Sequence, residues 1–98
     1  MKQIFPHQVE ELLKQSENVS IIDVREAEEV AQGKIPGARH IPFSQLGDRF
    51  NEIEKDKEHI IVCRSGNRSG MACEFLTSQG YNVINMVGGM LEWTGEIE

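Results

Sequence analysis

The residues best suited to chemistry stand in one run: Cys63, Arg64, Ser65, Gly66, Asn67, Arg68 and Ser69. The preceding HIIVC is short and continuously apolar at its centre, as a buried strand is, and residues from about 69 to 79 read as a helix closed by Gly80. Cys63 therefore sits where a strand turns into a helix. Successive backbone N–H groups, small residues that let the chain curl, and the positive end of the helix dipole would all surround its sulfur. A free cysteine has a pKa of about 8.5, and a helix N-terminus with adjacent arginines brings it below about 7.5, so a thiolate is expected at neutral pH. The same cradle would hold a terminal persulfide anion, with Arg64 and Arg68 as anion-binding groups. A cysteine that merely finished a strand would need no two arginines and a glycine in the residues that follow.

The other reactive side chains have blander readings. Cys73 lies within the helix beside Ala72, where packing accounts for it, and the helix should keep it beyond the roughly 7 Å Cα separation that a disulfide tolerates. Two cysteines are too few for a disulfide framework and lack the paired spacing of a zinc site. His59 is four residues upstream of Cys63 on the same strand, about 13 Å away at about 3.3 Å per residue, so no histidine serves as an evident base. Loop and dipole must activate the cysteine.

The elements that would position this loop follow from periodicity. Residues 6 to 16 read as an amphipathic helix carrying Val9, Leu12 and Leu13, and VSIIDV, residues 19 to 24, as a strand covered on both faces. EAEEVAQG reads as a short acidic helix ended by Gly33, and residues 39 to 41 as a short strand after a turn. Ser44 is placed to cap a helix that turns Leu46, Phe50 and Ile53 inward. YNVINM supplies a last strand, and GGMLEWTGEIE a short helix whose Met90, Leu91 and Trp93 can cover the sheet; Trp93, Met90 and Phe43 are suited to the core or to the mouth of the site, the core being the favoured place. Strands alternating with helices imply an α/β fold, a parallel sheet with helices on both faces, and a site at the carboxyl ends of the strands.

The chain has 98 residues, 39% of them hydrophobic and 27% charged, which fits one folded unit over residues 1–98. A net charge of -6 offers no basic field for nucleic acid. No apolar stretch approaches the roughly 18 residues of a membrane helix, and the amino terminus lacks a signal-peptide pattern, so a cytoplasmic monomer is expected.

Three segments resemble the rhodanese family. VSIIDVREAEEVAQGKIPGARHIPF is similar to its amino-terminal signature, HIIVCRSGNRS to its active-site loop, and GYNVINMVGGMLEW to its carboxyl-terminal signature. The resemblance implies a five-stranded parallel sheet flanked by helices, with Cys63 as the catalytic cysteine. It implies that Arg64, Ser65, Gly66, Asn67 and Arg68, with Ser69 closing the loop, bind the donor anion, and that thiosulfate is a donor. Asp23 and Arg25 fall on positions that family members often use to brace the site; a structural ion pair at a strand end explains them equally well. Lys34 and His40 depart from the family's frequent His and Asn.

What the resemblance implies is sulfur transfer by double displacement, from thiosulfate or another sulfane-sulfur donor to a small-molecule or protein thiol, with neither metal nor organic cofactor. A related reading is a persulfide carrier that turns over thiosulfate poorly. A cysteine phosphatase or arsenate reductase is the first rival, and the length of the phosphatase loop discriminates. That loop holds five residues between Cys and Arg, which would put Arg at position 69; here Ser69 stands there and Arg68 leaves four. A non-catalytic regulatory module is the second, although it would have no need of an activated thiol.

Overall fold

The computed structural model describes residues 1–15 and 18–98. Strand β1 spans Gln3–Ile4, β2 Ile21–Asp23, β3 Arg39–His40, β4 Glu58–Val62 and β5 Asn82–Met86. Helix α1 spans Pro6–Gln15, α2 Ala27–Val30, α3 Leu46–Arg49 and α4 Asn67–Ser78. The strands form one sheet in the order β1-β5-β4-β2-β3. Every pairing is parallel. The parallel sheet with helices is what the alternating pattern implies, and its five strands are what the family resemblance implies.

The period-two pleat explains the two cores. Along β4, Ile61 faces a cluster with Ile22, Val24, Leu46, Ala72 and Leu76, which places α3 and α4 on that side. Ile60 and Val62 face the other side, where Val9 of α1 packs with Ile21, Ile35 and Met86. With both faces covered, β2 and β4 read as unbroken apolar runs instead of alternating ones. Asp23 lies beside Val62 on one side and His40 on the other, so β2 and β4 end together. The Val24 N–H then donates to the Val62 carbonyl, and Cys63 emerges at that shared edge.

The structure departs from the expected elements in several places. The strand β1 lies in a segment to which the sequence assigns no element; two residues offer no periodicity to read, and the pairing of Ile4 with Met86 is entirely long-range. The expected end of α1, Ser16, lies outside the described residues. Ser44 caps no helix. It sits inside a 3₁₀ turn, Phe43–Gln45, started by Pro42, and its hydroxyl donates to Glu26 Oε1 at 2.8 Å. Only four residues of α3 follow before a second 3₁₀ turn, Phe50–Glu52. α4 begins two residues earlier than its apolar pattern implies, because Gly66 starts it with φ +102°. The carboxyl-terminal helix is a single 3₁₀ turn, Gly89–Glu92. There Met90 and Trp93 pack on the core, as Phe43 does on the opposite face, but Leu91 is 61% exposed and covers nothing. Among the described residues, no helix is long and apolar enough to cross a membrane.

Candidate active site

Cys63 is fully buried, and its sulfur is enclosed by the loop that follows it. The Gly66 N–H donates to Cys63 Sγ at 3.0 Å, and the thiol donates to Ser69 Oγ at 3.3 Å. Burial pushes the Cys63 thiol up, but hydrogen bonding by the Ser69 hydroxyl and by the backbone N–H groups of Ser69, Gly66 and Ser65 outweighs it. The net effect holds the pKa below the ordinary cysteine value. The sequence leads one to expect loop N–H groups, helix dipole and adjacent arginines to lower it together; the amides do so with the Ser69 hydroxyl, and the arginines are not among the causes. Arg68 nevertheless feels the sulfur's charge, after the larger influence of its carboxylate partner.

Two glycines shape the cradle. A side chain at Gly66 would be strained at φ +102° and would meet the Gly88 nitrogen at 3.1 Å. At Gly89, φ is +59°, and an added Cβ would lie 2.5 Å from the carbonyl oxygens of both Cys63 and Arg64. That close approach lets the Met90 N–H donate to the Cys63 carbonyl at 2.9 Å and the Leu91 N–H to the Arg64 carbonyl at 3.0 Å. The turn after β5 thus holds the active loop by its backbone.

Ser69 is oriented in turn by Asn85, a buried polar residue on β5. The Ser69 hydroxyl donates to Asn85 Oδ1, and Asn85 Nδ2 donates to the Gly66 carbonyl at 3.3 Å. When the thiol ionises, the Ser69 hydrogen can turn from Asn85 to the sulfur.

The structure divides the expected site residues into groups. Cys63, Ser65, Gly66 and Ser69 meet at the sulfur, while Asn67 is exposed on the first turn of α4. Arg64 is exposed at the loop, its guanidinium free of any hydrogen bond or ion pair among the described residues. Arg68 is not free to greet an anion: Nη1 and Nη2 donate to Glu29 Oε1 and Oε2 at 2.7 and 2.8 Å. This guanidinium holds the Glu29 carboxyl down at about 2. Asp23 and Arg25 form a buried pair, Arg25 Nη2 donating to Asp23 Oδ2 at 2.8 Å. Arg25 also donates to the carbonyls of Glu29, at 3.3 Å, and Gly33, at 2.8 Å, so the pair braces α2.

Cys73 is buried in the core, and burial first, then the charge of Cys63, pushes its thiol up to about 12. It is inert packing, as its helical neighbours indicate. His59 is equally structural: Nε2 donates to the Glu54 carbonyl and Nδ1 accepts from Ser20, each at 2.6 Å. Sequence reasoning missed Glu29, Asn85 and Gly89 as individual site residues. Of these only Gly89 left a local signal, as part of a Gly-Gly pair after a strand.

Comparison with known proteins agrees with this geometry. The chain is 42% identical over 96 residues to YtwF of Bacillus subtilis, which carries a provisional sulfurtransferase name, covering 98% of this chain and 93% of that one. It is 36% identical over 91 residues to the thiosulfate sulfurtransferase GlpE of Pseudomonas putida, covering 93% and 82% of the two chains. A rhodanese-like domain protein from Staphylococcus aureus has the same fold, with a TM-score of 0.95, 38% identity, and coverage of 100% and 97%. The family model for the rhodanese-like domain matches residues 5–96, and with the cysteine cradle at the end of β4, this chain belongs to that family.

Proposed function

We propose that the chain, acting as one rhodanese unit over residues 1–98, is a cytoplasmic sulfurtransferase that carries sulfane sulfur on Cys63 as a persulfide. The observation that carries this reading is the buried Cys63 sulfur held by the Gly66 N–H and Ser69 Oγ, with its pKa held below the ordinary value by hydrogen bonds. A thiolate so held is a ready nucleophile, and the same donors suit the terminal sulfur of a persulfide.

The Cys63 thiolate attacks the outer sulfur of thiosulfate or another sulfane-sulfur donor. A bond forms between the two sulfurs, the donor's S–S bond breaks, and the rest of the donor, sulfite in the case of thiosulfate, leaves with the electron pair. A thiol, or cyanide in an assay, then attacks the outer sulfur as its own anion. The Cys63 S–S bond breaks, the acceptor keeps the sulfur, and the thiolate returns. Ser65, Gly66 and Ser69 hold the sulfur throughout. A phosphate ester is the poorer substrate, since Ser69 stands where the longer loop of a cysteine phosphatase has its arginine.

Incubation of reduced protein with thiosulfate, removal of the donor and measurement of intact mass tests the reading. Wild type should gain one sulfur atom, lose it on addition of cyanide, and show no gain as Cys63→Ser. A persistent gain in the variant would exclude Cys63 as the carrier.

A further inference from the structure

We propose that Glu29 sets the charge of the donor that Cys63 accepts: by clasping Arg68, it withdraws that cation from the cradle and favours singly charged sulfur donors over the thiosulfate dianion. The inference rests on the sulfur-transfer reading above.

The clasp is fixed from several sides. Both terminal guanidinium nitrogens of Arg68 meet both carboxylate oxygens of Glu29, the fork geometry that holds arginine most firmly. Glu29 Oε1 also accepts the Glu26 N–H at 3.0 Å, so the carboxylate is tied to the start of its own helix. Arg25 holds α2 from beneath through the Glu29 and Gly33 carbonyls. Glu26 is fixed by Ser44, whose hydroxyl and N–H both donate to its carboxylate. The side chains of Arg68 and Glu29 are only 29% and 28% exposed, so their pairing is screened less than that of two surface residues.

The resulting electrostatics differ from those suggested by the residues CRSGNRS alone. Of the two arginines in the loop, Arg68 is neutralised and Arg64 remains. The carboxylate of Glu26 also lies close enough to act on Arg68. No net positive charge is left to meet a dianion. A donor bearing one negative charge, such as a persulfide or a thiosulfonate, needs only the N–H groups around the sulfur and the single free guanidinium.

Glu29→Gln tests this with little disturbance, because a glutamine oxygen still accepts the Glu26 N–H while the charge is lost. Steady-state transfer to cyanide is measured with thiosulfate and with methanethiosulfonate, which presents the same sulfur-sulfonyl bond with one charge fewer. The variant should raise kcat/KM for thiosulfate about tenfold, through KM, as expected when a charge-assisted bond is redirected to the donor. Thiosulfonate should change less than about twofold. Arg68→Gln alone, which leaves the Glu29 carboxylate bare, should weaken thiosulfate use, and the double variant, with neither charge, should return toward the parent; thiosulfonate should follow neither change, a donor dependence that a merely structural pair would not give. Equal changes with both donors, or no change with thiosulfate, would overturn the inference. If the wild type took sulfur from neither donor, the sulfur-transfer reading would fail, and this inference with it.

Discussion

The chemistry of Cys63 depends on which partners share its proton. Burial works against the thiolate, and the Ser69 hydroxyl with three loop amides reverses that effect. The rate of Cys63 alkylation should therefore rise with pH and level off around a midpoint below the value of about 8.5 for a free cysteine. Ser69→Ala removes a lowering interaction, so the midpoint should move upward; a midpoint that stays put would assign the activation to the amides alone. Cys73, with its thiol pushed up to about 12, should remain unlabelled in the folded protein near neutral pH. Much of this was legible in the sequence, because the groups that hold the sulfur are contiguous with it. The loop amides act as the sequence implies, while the arginines it adds to them are not among the causes. Glu29 precedes Arg68 by 39 positions, and only the folding of α2 against the loop turns that carboxylate on Arg68.

At the scale of elements, the cradle is held by the ends of β2, β4 and β5. Gly89→Ala would place a methyl group 2.5 Å from the Cys63 and Arg64 carbonyl oxygens. It should cost about 1–3 kcal/mol and displace the loop, as strain at positive φ does. Urea denaturation would give the cost, and slower sulfur loading the displacement. Asp23→Ala would leave the Arg25 guanidinium, 7% exposed, without its carboxylate, and should destabilise by about 3–5 kcal/mol on the same assay. The long apolar strands and α4 were legible because their periods are strong. β1 and the 3₁₀ turns around α3 were not, since short elements are decided by what they pack against. The Ser44 hydroxyl illustrates this: a residue suited to capping instead ties down Glu26 across the site.

Across the whole molecule, the Glu29–Arg68 pair should appear in the response to acid. Its carboxyl is lowered from 4.5 to about 2 by the Arg68 hydrogen bond, against burial. Its contribution to stability is therefore complete above 4.5 and is lost as pH falls toward about 2. Melting temperatures of wild type and Glu29→Gln should converge over that interval; parallel curves would mean that the pair contributes nothing to folding. Other lowered carboxylates, Glu52, Glu54 and Glu98, are exposed and should contribute little. Strand order was legible only as a parallel sheet, because no local pattern records that β1 joins β5.

That order also has a consequence for the nascent chain. During synthesis, Cys63 and its loop emerge before β5 and the turn that grips them, and Gln3 waits for Asn85 as its partner. Until residues 90 and 91 leave the ribosome, their amides cannot hold the Cys63 and Arg64 carbonyls. The growing polypeptide thus presents the loop without its brace, and the cradle gains its backbone grip only once the turn after β5 has followed.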